Sequence, residues 1–267
     1  MSALGVALAD GLTITRRNLI KVKRVPDLIV AATLAPIMFV LLFRYVFGSA
    51  IPIPGIDYAE FLLPGILAQT IVFGSTITGM SIADDMQKGL IDRFRSLPMA
   101  RSAVLVGRTV ADLGLNGISI VVMVVTGLIV GWRIRSSVVE AIAGFLLLLL
   151  FSFAMSWVMA TVGLLARTPE VVQNGSFILI FPLTFVANTF VPTNNFPSVL
   201  KVVADWNPVS AVVQAARELF GNTAPILETS DAWSLQHPVL YTLIWAAVLP
   251  AVFVPLSVRI YQRTSTR

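Results

Sequence analysis

Six long apolar runs divide the chain, at residues 28–47, 60–82, 106–130, 141–165, 171–191 and 238–258. Each is close to the roughly 20 residues that a helix needs to cross a hydrocarbon core, where only helices and closed barrels satisfy the backbone. Ahead of the first run, Leu4, Leu8, Leu12 and Leu19 recur at helical spacing and are followed by Arg16, Arg17, Lys21, Lys23 and Arg24. That pattern predicts an amphipathic interfacial helix over residues 1–26, entering the first span at Pro26-Asp27. A secretory signal cleaved near Ser49-Ala50 is the competing reading. The apolar run from 28 to 43 is longer than the ~7–15 residues of a signal core, which disfavours it.

The polar intervals are patterned too. Residues 84–108 form the longest densely charged stretch. Within it, residues 85–97 predict a short amphipathic helix inside an 84–98 element. Met86, Leu90, Phe94 and Leu97 share one face, and Lys88, Asp92 and Arg95 share another. Pro98 stops it, since proline lacks a donor and disfavours helical geometry at Leu97. Such a helix either lies on headgroups with its arginines facing anionic lipid or docks a soluble partner. Residues 192–236 are too long for a tight turn. They predict two short helices, at 198–204 and 208–220, the second capped by Asn207 with Pro208 at its first position. Val212, Val213, Ala216 and Leu219 would give that second helix an apolar face dipping into the outer leaflet beside the last two spans.

Composition confirms the class. Among 267 residues, 57% are hydrophobic and 12% charged, against about a quarter charged in soluble domains. The mean hydropathy is +0.86. The reading is therefore an all-α membrane protein with six transmembrane helices in one domain spanning 1–267. Six spans place both termini on one side. That side carries 14 lysines and arginines and the other carries 5 (Arg44, Arg133, Arg135, Lys201 and Arg217), so the termini and the 84–108 loop are cytoplasmic. The net charge of +5 is spread over loops that topology explains and is no nucleic-acid signal. The excess of arginine over lysine, 15 to 4, points to a bacterial genome rich in GC. Without cysteine there is no disulfide, thiolate metal site or cysteine nucleophile.

Candidate chemistry is sparse. Gly107-Arg108-Thr109 lacks the lysine and upstream glycine of a phosphate-cradling loop. This chain therefore binds no cofactor itself, and any ATP and Mg belong to another polypeptide. The single histidine, His237, has no second histidine or cysteine with which to share a metal, and no hydrolase motif occurs. Asp112 follows Arg108 by four residues near the inner end of span three; an ion pair at the interface is weighed against a proton or substrate site. No acidic residue is expected deep in any span. Asn116 in span three, and Gln173, Asn174 and Asn188 in span five, hydrogen-bond between helices or face a substrate path. Phe177, Phe181 and Phe185 repeat every four residues, with Phe190 beyond; they line either lipid or a wall for amphipathic drugs and lipid tails. Pro182 can bend their helix. Gly127 and Gly131 form a Gly-x-x-x-Gly suited to close helix approach.

Two of these stretches carry a family resemblance. The run Lys-Gly-Leu-Ile-Asp-Arg-Phe-Arg-Ser-Leu-Pro at 88–98, with Ala-Arg-Ser and Val-Gly-Arg after it, resembles the first coupling helix of ABC-2 type transporter permeases, in particular the daunorubicin-resistance type. About 110 residues on, Trp-Asn-Pro-Val-Ser-Ala-Val-Val-Gln-Ala-Ala-Arg-Glu-Leu at 206–219 resembles the segment that forms short re-entrant helices between that family's last two spans. The resemblance implies a permease subunit, itself no enzyme, in the cell membrane. Two copies of an ABC ATPase and a second permease, identical or homologous, would complete the exporter. Asp85, Lys88, Gly89, Leu90, Asp92, Arg93, Phe94, Arg95, Leu97, Pro98 and Arg101 would form the ATPase contact, with Thr168-Pro169-Glu170 as a smaller one. The cargo would be amphipathic drugs, or else lipids or glycolipids, with Asn116, Asn174, Phe177, Phe181 and Phe185 along its path. An ion-coupled carrier and a membrane anchor for a soluble complex are the readings outside the family.

Overall fold

The computed structural model describes residues 27–48, 53, 55–89, 103–193, 196–223 and 230–263, with backbone only for 27–32, 103 and 104. The interfacial helix expected over 1–26 and most of the 84–98 element lie outside these residues. All regular structure among the described residues is helical. In chain order the helices are α1 (Asp27–Leu42, continued by a π-helical turn at Phe43–Phe47), α2 (Tyr58–Gln87), α3 (Ala103–Ile129), α4 (Val138–Leu165), α5 (Pro169–Phe185), α6 (Ser198–Asp205), α7 (Pro208–Phe220), α8 (Trp233–Gln236) and α9 (Pro238–Arg263).

Four of them, α2, α3, α4 and α9, are long and apolar enough to cross a membrane. Helix α5 is shorter than its apolar run. It ends at Phe185 rather than 191, so its 17 residues rise ~26 Å against a hydrocarbon core of ~30 Å. Pro182 stands in its final turn, and Val186 N–H closes that turn on the Pro182 carbonyl. The chain then leaves helical geometry, and Asn188 belongs to this irregular stretch rather than to the span.

Helix α2 is the axis of the bundle, packed by α3, α4, α5 and α7. Every residue from Tyr58 to Val72 is buried. Asp57 starts it, accepting a hydrogen bond from Ala59 N–H and an ion pair from Arg44 at 2.6 Å. Near the other end α2 meets α4 at two glycines. A Cβ on Gly163 would fall 2.3 Å from the Gly79 carbonyl oxygen, and one on Gly79 would fall 2.5 Å from the Met159 carbonyl oxygen. That backbone-to-backbone approach is what small residues permit when lipid supplies no hydrophobic drive between helices. The Gly-x-x-x-Gly at 127–131 works differently. Gly127 packs against Leu63 and Trp132, but Gly131 lies past the end of α3 at φ 101° and approaches no helix.

Helix α7 is enclosed by protein. Val212, Val213 and Ala216 are buried against α2, α4 and α9. Asn207 caps the helix, accepting from Val209 N–H at 2.9 Å, and Gly221 at φ 70° ends it. The loop between α3 and α4 clasps that end. Arg135 N–H donates to the Phe220 carbonyl, Ser136 Oγ to the Leu219 carbonyl, and Trp132 Nε1 to Asn222 Oδ1.

Candidate functional site: an aromatic ladder

Phe177, Phe181 and Phe185 stack face to face along α5, with ring centroids 4.9 and 4.0 Å apart. Four-residue spacing brings them into register, as it must on a helix. The ladder then leaves α5. Phe185 meets Phe190 at 5.0 Å, Phe190 meets Phe43 of α1 at 4.3 Å, and Phe43 meets Phe47 at 5.0 Å. Phe39 leans on Phe43, Phe185 and Phe190. Six rings, with Phe39 beside them, thus run from the middle of α5 to the far end of the π-helical turn after α1. Phe190 is buried, whereas Phe177 is 55% exposed, Phe181 37% and Phe47 41%. The amides of Gln173 and Asn174, one turn before Phe177, are exposed as well. A ladder open along one side, with polar groups at one end, offers stacking faces to a flat apolar guest and hydrogen bonds to its polar edge.

The turn that passes the ladder from α5 to α1 is held by buried polar side chains. Arg217 of α7, 3% exposed, donates from Nη2 to the Asn188 carbonyl at 2.7 Å and the Thr189 carbonyl at 3.2 Å, and from Nε to the Phe61 carbonyl at 3.0 Å. Tyr58 OH donates to the Phe190 carbonyl at 3.1 Å. Asn207 Nδ2 donates to the Leu183 carbonyl at 2.6 Å, and Asn188 N–H to Ser210 Oγ at 3.3 Å. Apart from the Phe61 carbonyl, which belongs to α2, these partners are backbone groups where α5 stops, which is why they need side-chain partners. Counting Arg217 among the charges of an outer loop missed this role. The pattern pointed the other way: Ser210, Gln214, Arg217 and Glu218 share one face at helical spacing, which reads as a polar outer side.

Other expected site residues lie elsewhere. Asn116 is 2% exposed, donates to Ser152 Oγ at 2.7 Å and faces Gly74 of α2. Its amide is committed to the α2–α3–α4 packing rather than to the ladder. Asp112 is 5% exposed and lies 3.7 Å from Arg108, so it is more enclosed than an interfacial pair. Glu60 is 4% exposed and takes a two-pronged contact from Arg135 at 2.6–3.0 Å. Both carboxylates are enclosed by protein, Glu60 in the first turn of α2 and Asp112 in the first half of α3. Outside the spans, the hydrogen bond to Glu60 raises the Arg135 guanidinium above its ordinary value. His237 rests against the Trp233 ring at 5.5 Å.

The charged loop begins later than its pattern suggests. Asp84, Asp85 and Met86 belong to the last turn of α2, not to a separate helix starting at 84–85. Lys88 pairs with Asp84 at 2.8 Å, four residues back, which extends the helix and raises the Lys88 ammonium above its ordinary value. Gly89 breaks away at φ 65°. Thus Asp85, Lys88 and Gly89 form the exit from α2. Leu90, Asp92, Arg93, Phe94, Arg95, Leu97, Pro98 and Arg101 lie outside the described residues. Thr168 precedes α5, with Pro169 at its first position and Glu170 in its first turn.

A helical bundle with four membrane-length apolar helices around a buried axis is a multi-pass membrane protein. Residues 11–220 match the family model of the ABC-2 type transporter, and the chain belongs to that family. It is 33% identical to the daunorubicin resistance ABC transporter permease protein DrrB1 of Streptomyces coeruleorubidus, over 97% of this chain and 88% of that one. It is 25% identical to the protein named "Probable doxorubicin resistance ABC transporter permease protein DrrC" of Mycobacterium tuberculosis, over 99% of this chain and 92% of the relative. At 19% identity it also matches the "Probable multidrug ABC transporter permease YbhR" of Escherichia coli, over 70% of this chain and half of the relative. Such permeases are transport components rather than catalytic ones.

Proposed function

We propose that this chain is the transmembrane subunit of an ATP-driven exporter of amphipathic aromatic drugs. The observation that carries the cargo class is the Phe177–Phe47 ladder, open along α5 and flanked by the Gln173 and Asn174 amides. Flat fused rings stack on such faces, and the polar end suits the sugar or amine of an amphiphile. The names of the relatives, daunorubicin and doxorubicin resistance permeases, support the same class. Six spans would be completed by α1 and α5, with both termini in the cytoplasm of a bacterial cell. Two such subunits, identical or homologous, would pair with two ABC ATPase subunits that hold ATP and Mg.

Force would enter through the loop that leaves α2 at Gly89. In this reading Leu90, Phe94 and Leu97 pack into a groove of the ATPase, with Lys88, Asp92, Arg93, Arg95 and Arg101 around them. Closure of the ATPase on ATP would push this element and bias the bundle between inward- and outward-open states. It does so only to the extent that ATP binds one state better than the other. Because α2 runs continuously from Tyr58 to Gln87, with Pro64 only in its second turn, a push at Gln87 would be carried along it toward Tyr58, which holds the Phe190 carbonyl. Binding of daunorubicin to the purified permease, followed by its own fluorescence, tests the site. Phe181→Ala should weaken binding about tenfold, since each lost stacking contact contributes on the order of 1 kcal/mol beyond buried area. Unchanged affinity would remove the ladder from the drug path.

A further inference from the structure

The ladder crosses from α5 to α1 by ring contacts, Phe185 to Phe190 and Phe190 to Phe43. Two adjacent residues at the start of α2 hold the two sides of that crossing. Tyr58 holds the α5 side, its hydroxyl donating to the Phe190 carbonyl at 3.1 Å. Asp57 holds the α1 side. Its Oδ1 accepts from Arg44 Nη1 at 2.6 Å and from Ala59 N–H at 2.7 Å. That oxygen is fixed by the first turn of α2, and it fixes Arg44 in turn. Arg44 follows Phe43 directly, inside the π-helical turn Phe43–Phe47. Such a turn is rare and is often found at functional sites. Here Phe43 and Phe47 stay stacked at 5.0 Å while Arg44 reaches away from them to α2. The end of the turn lies at the same place, since a Cβ on Gly48 would fall 3.4 Å from the Tyr58 ring.

We propose that Arg44 and Asp57 are positioning residues for cargo: their ion pair fixes the turn after α1 so that the Phe43 and Phe47 faces continue the line of Phe190, Phe185 and Phe181. The rings of α1 then bind as part of one surface instead of swinging with their own helix. This role rests on the ladder being the cargo site. The pair is partly open to solvent, with 26% of the Arg44 side chain and 50% of the Asp57 side chain exposed. An exposed pair contributes little to overall stability. Its loss therefore shows in the placement of the rings rather than in folding. The sign of the effect is distinctive as well. Daunorubicin carries an amine that is protonated at neutral pH, and removing a cation near a bound cation would by itself strengthen binding. Weaker binding on loss of Arg44 thus reports misplaced rings.

In the full-length purified permease, Arg44→Met removes the donor and leaves the Asp57 cap in place, while Arg44→Lys keeps a cation able to reach Asp57. Hydrogen exchange at residues 43–48 reads the placement of the turn without cargo, and daunorubicin fluorescence reads the site. Arg44→Met should speed exchange at 43–48 several-fold and leave the first turn of α2 as protected as in the parent. It should weaken daunorubicin binding roughly fivefold, the worth of one stacking contact. Arg44→Lys should recover most of both. Unchanged exchange in Arg44→Met would show that the pair does not hold the turn. Faster exchange with unchanged daunorubicin affinity, while Phe181→Ala still weakens binding, would place the α1 rings outside the site. Either result overturns the role of the pair and spares the α5 rings. Phe181→Ala without effect would instead remove the ladder itself, and this role with it.

Discussion

The Arg217 guanidinium lies 3.6 Å from the centre of the Phe61 ring while its Nε donates to the carbonyl of the same residue at 3.0 Å. One side chain therefore grips α2 by ring and backbone together. Its other edge holds the Asn188 and Thr189 carbonyls, where α5 has given way to irregular chain. A planar cation with several donors suits this place; a lysine ammonium would reach one or two of these groups and stack poorly.

Arg217→Ala should lower stability by about 2–4 kcal/mol, because it takes this donor from the enclosed Asn188 and Thr189 carbonyls, loses the bond to the Phe61 carbonyl and removes a cation–π contact. Arg217→Lys should recover only part of the loss. Thermal unfolding of the detergent-purified permease, comparing both variants with the parent, would show it. Equal stability of the alanine variant would mean that Tyr58, Asn207 and Ser210 hold the turn after α5 without it.

Gly163→Ala should cost about 1–3 kcal/mol by overpacking, since the added methyl meets the Gly79 carbonyl oxygen and both are backbone. Gly175→Ala is the control, as a Cβ there meets nothing within 4 Å. The expected order in a thermal melt is parent and Gly175→Ala together, with Gly163→Ala lower. A Gly163→Ala melt equal to the parent would show that α2 and α4 can separate freely.

Much of this arrangement was legible in the chain. The apolar runs mark the membrane-length helices, and the four-residue repeat puts Phe177, Phe181 and Phe185 on one face. What escaped was tertiary. Nothing in the spacing of Phe39, Phe43 and Phe47 says that they continue a ladder begun on another helix. Gly79 and Gly163 sit on different helices, so no motif joins them. Arg217 bonds to main-chain carbonyls, which carry no sequence signature, and its place between the last two apolar runs only counts it on the outer side. The end of α2 was misplaced for a similar reason. Asp84 and Asp85 look like the start of a loop, yet Asp84 pairs with Lys88 and the helix runs on to Gln87.

The proposed topology puts the α3–α4 loop outside and the loop after α2 inside. In intact cells, an impermeant maleimide should label Ser136→Cys, whereas Ser96→Cys should react only after the membrane is opened. Ser136 also donates to the Leu219 carbonyl, so Arg133→Cys, in the same loop, is a second reporter that spares that contact. The opposite labelling at both outer positions would invert the protein in the membrane.

A separate ATPase that drives cargo past the ladder by acting on the loop beyond Gly89 is tested by daunorubicin movement in vesicles holding the permease alone, the permease with its ATPase, and the Phe94→Asp permease with the same ATPase. Movement should require both proteins and ATP, and Phe94→Asp should abolish it together with ATPase co-purification while leaving membrane insertion intact. Transport by the permease alone, or full transport by Phe94→Asp, would contradict the account.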